Sequence, residues 1–141
     1  VLKALYHALK VEKVDLHYTI LKPSMVISGK QAKHRAGIEE VAKRTLRVLK
    51  EFVPWEVPSI NFLSGGQSPQ EATAHLNEMH RLDNALPWHL SFSYARALQE
   101  PALKAWQGKD ENIPKAQEAF VRRCMLNSLA VEGKYDESME E

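Results

Sequence analysis

The stretch Ser59-Ile60-Asn61-Phe62-Leu63-Ser64-Gly65-Gly66-Gln67-Ser68-Pro69-Gln70-Glu71 sets the architecture. Pro54 and Pro58 bracket it on the upstream side, and Ser59 to Leu63 reads as a strand. Two glycines then permit a sharp turn. Ser68 suits a helix N-cap, Pro69 the first helical position, and Glu71 the positive end of the helix dipole. Strand, turn and helix start therefore follow one another within thirteen residues.

The same alternation extends to both sides. Upstream, Leu2, Leu5, Tyr6 and Leu9 have the spacing of one helix face over 2–12. Asp15 to Leu21 reads as a strand that stops at Lys22-Pro23, because proline cannot continue a central ladder. Residues 24–36 form a polar loop, and Ile38, Val41, Thr45, Leu49 and Phe52 return to helical spacing. Downstream, His89 to Ser93 reads as a third strand, followed by helices over 94–106 and 114–131, with Gly133 just past the second. Strands alternating with helices imply βαβ units and a parallel sheet. No internal repeat or low-complexity segment interrupts the pattern. The acidic residues 136–141 read as a mobile tail.

Composition narrows the functional classes. The 141 residues are 44% hydrophobic and 26% charged, with a net charge of +1, which is neither a disordered composition nor a nucleic-acid footprint. No apolar run reaches the roughly 18 residues of a membrane span. The single cysteine, Cys124, allows no internal disulfide, and its neighbours Val121, Met125 and Leu129 suggest a buried small hydrophobe. With Val1 in first place and helical spacing already running, the sequence reads as lacking its natural N-terminus and any targeting segment.

In parallel α/β folds, functional groups gather at the carboxyl ends of the strands. Here those ends carry Lys22, Ser64-Gly65-Gly66 and Ser93-Tyr94-Ala95-Arg96. A lysine amine stripped of water by apolar neighbours favours its neutral form, which can attack a ketone to form an iminium. The plain alternative is a strand-end lysine reaching into solvent. Successive N–H groups of a Gly-Gly turn can converge on an anion, although such a turn also occurs without a ligand. Arg96 can clamp a phosphate through two parallel hydrogen bonds, or simply pair with a carboxylate on the surface. Together the three suit a phosphorylated ketone.

Other residues read as structural. Lys30, Lys33, His34 and Arg35 form a basic cluster that suits a solvated loop better than a phosphate site. His75, His80 and His89 lack metal-ligand spacing. Trp55, Trp88 and Trp106 are assigned to packing, and Glu39-Glu40 to compensation of a helix dipole.

The segments Thr19-Ile20-Leu21-Lys22-Pro23-Ser24-Met25-Val26, Phe62-Leu63-Ser64-Gly65-Gly66-Gln67-Ser68 and Ser91-Phe92-Ser93-Tyr94-Ala95-Arg96-Ala97-Leu98 resemble class I fructose-bisphosphate aldolase. So do Leu103-Lys104-Ala105-Trp106 and Ala130 to Tyr135. The resemblance runs from Val1 to about Tyr135. It implies a (β/α)8 TIM barrel, with residues 1–135 supplying about its last three strand-helix units. It also implies metal-independent, reversible cleavage of fructose 1,6-bisphosphate to dihydroxyacetone phosphate and glyceraldehyde 3-phosphate, with no cofactor. By that likeness Lys22 is the Schiff-base lysine, and Ser64, Gly65, Ala95 and Arg96 hold the substrate phosphate. The resembled proteins are usually tetramers, so a homo-oligomer is expected, with no nucleic-acid or membrane partner.

Ser24 and Ala95, where many animal members have Asn and Gly, point to the plastid branch and the chloroplast stroma, with the cytoplasm as the alternative. His17 and Tyr18 depart from the Glu-Gly pair usual before the lysine strand. The family's acid/base carboxylates lie on earlier strands, and its tail tyrosine has no counterpart here; Tyr135 is not a match for it. A complete barrel typically needs about 250 residues. Two alternatives therefore stand beside the lyase. One is a non-catalytic half-barrel that binds sugar phosphates or pairs with another chain; the other is a transaldolase-like Schiff-base enzyme, which Ser64-Gly65-Gly66 and Arg96 fit poorly.

Overall fold

The computed structural model describes residues 1–141. Helix α1 (Leu2–Val11) leads through a 3-10 turn (Leu16–Tyr18) to strand β1 (Ile20–Leu21). Helix α2 (Ile38–Phe52), β2 (Ser59–Phe62), α3 (Pro69–Leu82), β3 (His89–Phe92), α4 (Arg96–Trp106) and α5 (Ile113–Val131) follow, with further 3-10 turns at Asp110–Asn112 and Glu137–Glu140. The three strands form one parallel sheet in the order β1-β2-β3. Ile20 pairs with Ser59, and Phe62 with Phe92, so consecutive strands are spatial neighbours and all three carboxyl ends share one rim.

The core forms between this sheet and its helices. Ile60, Phe62 and Leu90 from the strands are fully or almost fully buried with Val41, Leu46 and Leu49 of α2 and Leu76 and Met79 of α3. Burying each such side chain contributes about 1.5–3 kcal/mol. Helix α3 starts as its sequence predicts. Ser68 Oγ accepts from the Glu71 N–H at 3.1 Å, while Glu71 Oε2 accepts from the Ser68 N–H at 2.8 Å, a reciprocal capping box with Pro69 in the first turn.

Several expectations change. The first strand is not Asp15–Leu21 but Ile20–Leu21. Asp15 accepts from the His17 N–H at 3.1 Å and lies 2.9 Å from its ring Nδ1, which winds Leu16–Tyr18 into a 3-10 turn; a local side-chain bond has displaced the ladder. The fourth helix starts at Arg96 rather than 94, because Tyr94 turns inward and its hydroxyl donates to Ala72 O at 2.9 Å. Trp88 belongs to the core and donates to Pro54 O at 2.8 Å. Trp55 and Trp106 are exposed instead, and Trp55 meets the His17 ring edge-on.

Cys124 is half-buried, and its expected apolar companions Val121 and Met125 are exposed. On α5 the inward positions are Arg123, Leu126, Asn127 and Ala130, so two polar residues occupy the buried stripe. Residues 136–141, expected as a mobile tail, make specific contacts: Glu140 accepts from Arg123 Nη1 through both oxygens at 2.6 Å, and the Tyr135 hydroxyl donates to Glu140 at 2.9 Å. No helix is long and apolar enough to cross a membrane.

Candidate active site

Lys22 follows directly on β1, Ser64 and Gly65 lie just past β2, and Ala95 and Arg96 just past β3. The parallel order brings all five to one rim. Pairing continues beyond the strands proper, since Leu63 N–H donates to Pro23 O at 3.0 Å and Ser93 N–H to Phe62 O at 2.9 Å. The three ends are thus held in one frame of hydrogen bonds.

The turn after β2 is closed by Gln67 N–H donating to Ser64 O at 3.2 Å. Gly66 adopts φ +83°, the value a type II turn requires at its third residue. Gly65 faces Arg96: a Cβ built on it would sit 3.8 Å from Arg96 Nη2 and 3.3 Å from Leu63 Cδ1. An added Cβ there would be tight against Leu63 and in ordinary contact with the guanidinium. Ser64 is buried, and its Oγ accepts from Ala97 N–H at 3.4 Å. That hydroxyl serves the start of α4, whose N-cap Ala95 has no side chain to offer. The helix's opening N–H groups and dipole add positive character beside Arg96.

Lys22 is exposed. Of the apolar residues that follow it, Met25 alone is buried, so these 141 residues do not supply the shielding expected around its amine. Below the turn, the His75 ring Nδ1 lies 2.7 Å from Gln67 Oε1. Burial pushes His75 below its ordinary value of 6.5, with nearby Glu71 opposing and Arg35 assisting.

Two residues at this rim do more than their sequence context indicates. By sequence, Gln67 belongs to the turn and Arg35 to a solvated basic cluster. Arg35 Nη2 donates to Gly66 O at 3.2 Å. The signal available was a basic loop following the lysine strand; its target was not legible, because the contact spans 31 residues. His80 donates to Leu90 O at 3.1 Å and is structural. No group of three or more His, Cys, Asp or Glu residues could hold a metal ion.

Fold and rim together define a class: a parallel α/β chain that presents an amine, a glycine turn and a guanidinium at neighbouring strand ends. The chain belongs to the class I fructose-bisphosphate aldolase family, whose model (Glycolytic: Fructose-bisphosphate aldolase class-I) matches residues 1–141. It is 52% identical over 135 residues to the cytoplasmic isozyme of Spinacia oleracea, covering 96% of this chain and 38% of that protein. A probable class 1 aldolase of Xanthomonas axonopodis pv. citri is 54% identical over 136 residues, covering 95% and 40%. The chloroplastic aldolase 1 of Chlamydomonas reinhardtii is 52% identical over 128 residues, covering 91% and 33%.

Among solved structures, the fructose-bisphosphate aldolase of Plasmodium falciparum, in a ternary complex with TRAP and a small-molecule inhibitor, superposes with a TM-score of 0.92. It shares 43% identity and is covered over 96% of this chain and 39% of that one. The chain thus spans between a third and two-fifths of the length of these relatives. The plastid branch read from Ser24 and Ala95 gains no support, since cytosolic, bacterial and chloroplastic proteins match to a similar degree.

Proposed function

We propose that this chain is the C-terminal part of a (β/α)8 lyase barrel, its strands being the last three, and that Lys22 forms a Schiff base with fructose 1,6-bisphosphate. The reading is carried by one juxtaposition: a lysine amine and an anion-binding turn with a facing arginine, on adjacent parallel strand ends. Ser64 and Gly65, with Arg96 and the Ala95 backbone at the start of α4, hold the phosphate of the ketone half. The guanidinium and the helix N-terminus both favour a phosphate there.

The neutral amine adds to the ketone carbon, and the carbinolamine loses its hydroxyl as water to leave an iminium. The carbon–carbon bond beyond the neighbouring carbon then breaks, its electron pair flowing toward the iminium nitrogen to give an enamine. The hydroxyl on the departing carbon yields its proton to a base and becomes the carbonyl of glyceraldehyde 3-phosphate. Protonation of the enamine carbon and hydrolysis of the regenerated iminium release dihydroxyacetone phosphate and the amine. By the family resemblance, the base is a carboxylate on strands outside these residues, which also supply the apolar shielding of Lys22.

The relatives are each named as aldolases, which does not favour a non-catalytic half-barrel. Cytosolic and chloroplastic relatives match alike, so the likeness carries no compartment. The assembled enzyme is proposed to be a homo-oligomer, a tetramer by the same resemblance. The test is release of dihydroxyacetone phosphate from fructose 1,6-bisphosphate by this sequence joined to the upstream strands of a relative. Lys22→Met is expected to lower kcat by more than about a thousandfold, with activity surviving a chelator. Undiminished turnover by the variant would overturn the assignment.

A further inference from the structure

The loop between β1 and α2, exposed over residues 29–35, touches the glycine turn through Ile27 and Arg35. Ala36 N–H donates to Ser28 Oγ at 2.8 Å and closes the loop's base. From there Arg35 Nη2 donates to Gly66 O at 3.2 Å. Ile27 packs against the same residue, with its Cδ1 2.9 Å from where a Cβ on Gly66 would stand. The segment that follows Lys22 therefore holds the turn from outside, while Arg96 faces Gly65 from the other strand end.

A two-glycine turn has no side chains of its own to fix it and loses more conformational freedom on ordering than any other pair. A charge-assisted hydrogen bond to its carbonyl restricts that freedom. The other partner of Arg35 is weak: Glu71 Oε1 lies 4.0 Å away, both side chains are substantially exposed, and Glu71 is already engaged in the capping box of α3. The Gly66 carbonyl is thus the contact that gives Arg35 its place.

We propose that Arg35 is a positioning residue for phosphate binding: by holding the Gly66 carbonyl it sets the Ser64–Gln67 turn in the orientation that presents Gly65 beside Arg96 to a phosphate monoester. This rests on the reading of Ser64, Gly65 and Arg96 as the phosphate cradle. It also ties the cradle to the segment that carries Lys22, so that the spacing between amine and phosphate is set by one loop.

The test is titration of the isotope-labelled protein, completed with the upstream strands of a relative, with inorganic phosphate, following the Gly65 and Gly66 amide resonances. Arg35→Met keeps the aliphatic stem and removes the donor; Arg35→Lys restores a donor and the charge. Arg35→Met is expected to shift the Gly66 resonance before any phosphate is added and to weaken phosphate binding about tenfold. Arg35→Lys is expected to recover affinity to within about threefold of the parent. Arg96→Ala is expected to weaken binding at least as much as Arg35→Met. Parental affinity in Arg35→Met, with loss in Arg96→Ala, would overturn the role of Arg35 and leave the cradle standing. Parental affinity in Arg96→Ala, or no phosphate response in the parent chain, would sink the cradle and with it the role of Arg35.

Discussion

His75 shows how much at this rim is decided by single side chains. Its ring is 4% exposed, faces Gln67 in the turn, and is held by burial below its ordinary 6.5. His80 is lowered by burial too, against the opposing effect of the hydrogen bond it donates to Leu90 O. An unfolded chain takes up protons near pH 6.5 that both rings resist, so stability is full above about pH 6.5 and falls as pH drops below it. Urea midpoints at about pH 7.5 and about pH 5.5 check this. The lower pH is expected to give the lower midpoint, and the double variant His75→Gln/His80→Gln a smaller difference. An equal difference in the double variant would contradict it. The rim residues Lys22, Ser64, Gly65, Ala95 and Arg96 were legible because strand ends in a parallel sheet are predictable from proline, glycine and alternation. Arg35 and Gln67 were not, because their roles depend on contacts that local spacing does not encode.

At the scale of elements, α3 was readable almost to the residue, since its cap, proline and acidic first turn are all local signals. The extent of α5 was readable too, 114–131 against Ile113–Val131, but its inward face was not, because its buried stripe contains Arg123 and Asn127. Arg123 donates to Pro69 O at 2.9 Å and to Thr73 Oγ1, and Asn127 accepts from Thr73 Oγ1 at 3.0 Å. The arginine thereby joins α5, the first residues of α3 and Glu140 in one buried network. Removing one partner of a buried pair leaves the other charge uncompensated. Glu140→Ala is expected to cost about 3 kcal/mol, the lower end of the range for buried pairs because the Glu140 side chain retains 19% exposure. Urea unfolding measures it, and a loss below about 0.5 kcal/mol, the size of a surface substitution, would show that the network does not hold the segment.

At the scale of the molecule, the sheet ends abruptly. β1 and β3 each pair on one side only, and Ile20 on β1 is 65% exposed. Leu103, Val121 and Met125 are exposed on α4 and α5 as well. Unpaired parallel edges and apolar helix faces favour association. Sedimentation velocity of the 141-residue chain is expected to show concentration-dependent species larger than the 16.1 kDa monomer. A single monomeric boundary across concentrations would contradict this. Parallel α/β architecture was legible from the alternation of elements. The shielding of Lys22 was not, because apolar neighbours in sequence need not surround a side chain in space.

Chemical trapping locates the nitrogen that forms the Schiff base. The protein, completed with upstream strands, is reduced with borohydride in the presence of dihydroxyacetone phosphate and digested, and the adduct is located by mass spectrometry. One modified site is expected, the ε-nitrogen of Lys22, with labelling reduced in Arg96→Ala. An adduct on a different lysine, or none at all in a folded protein, would contradict it.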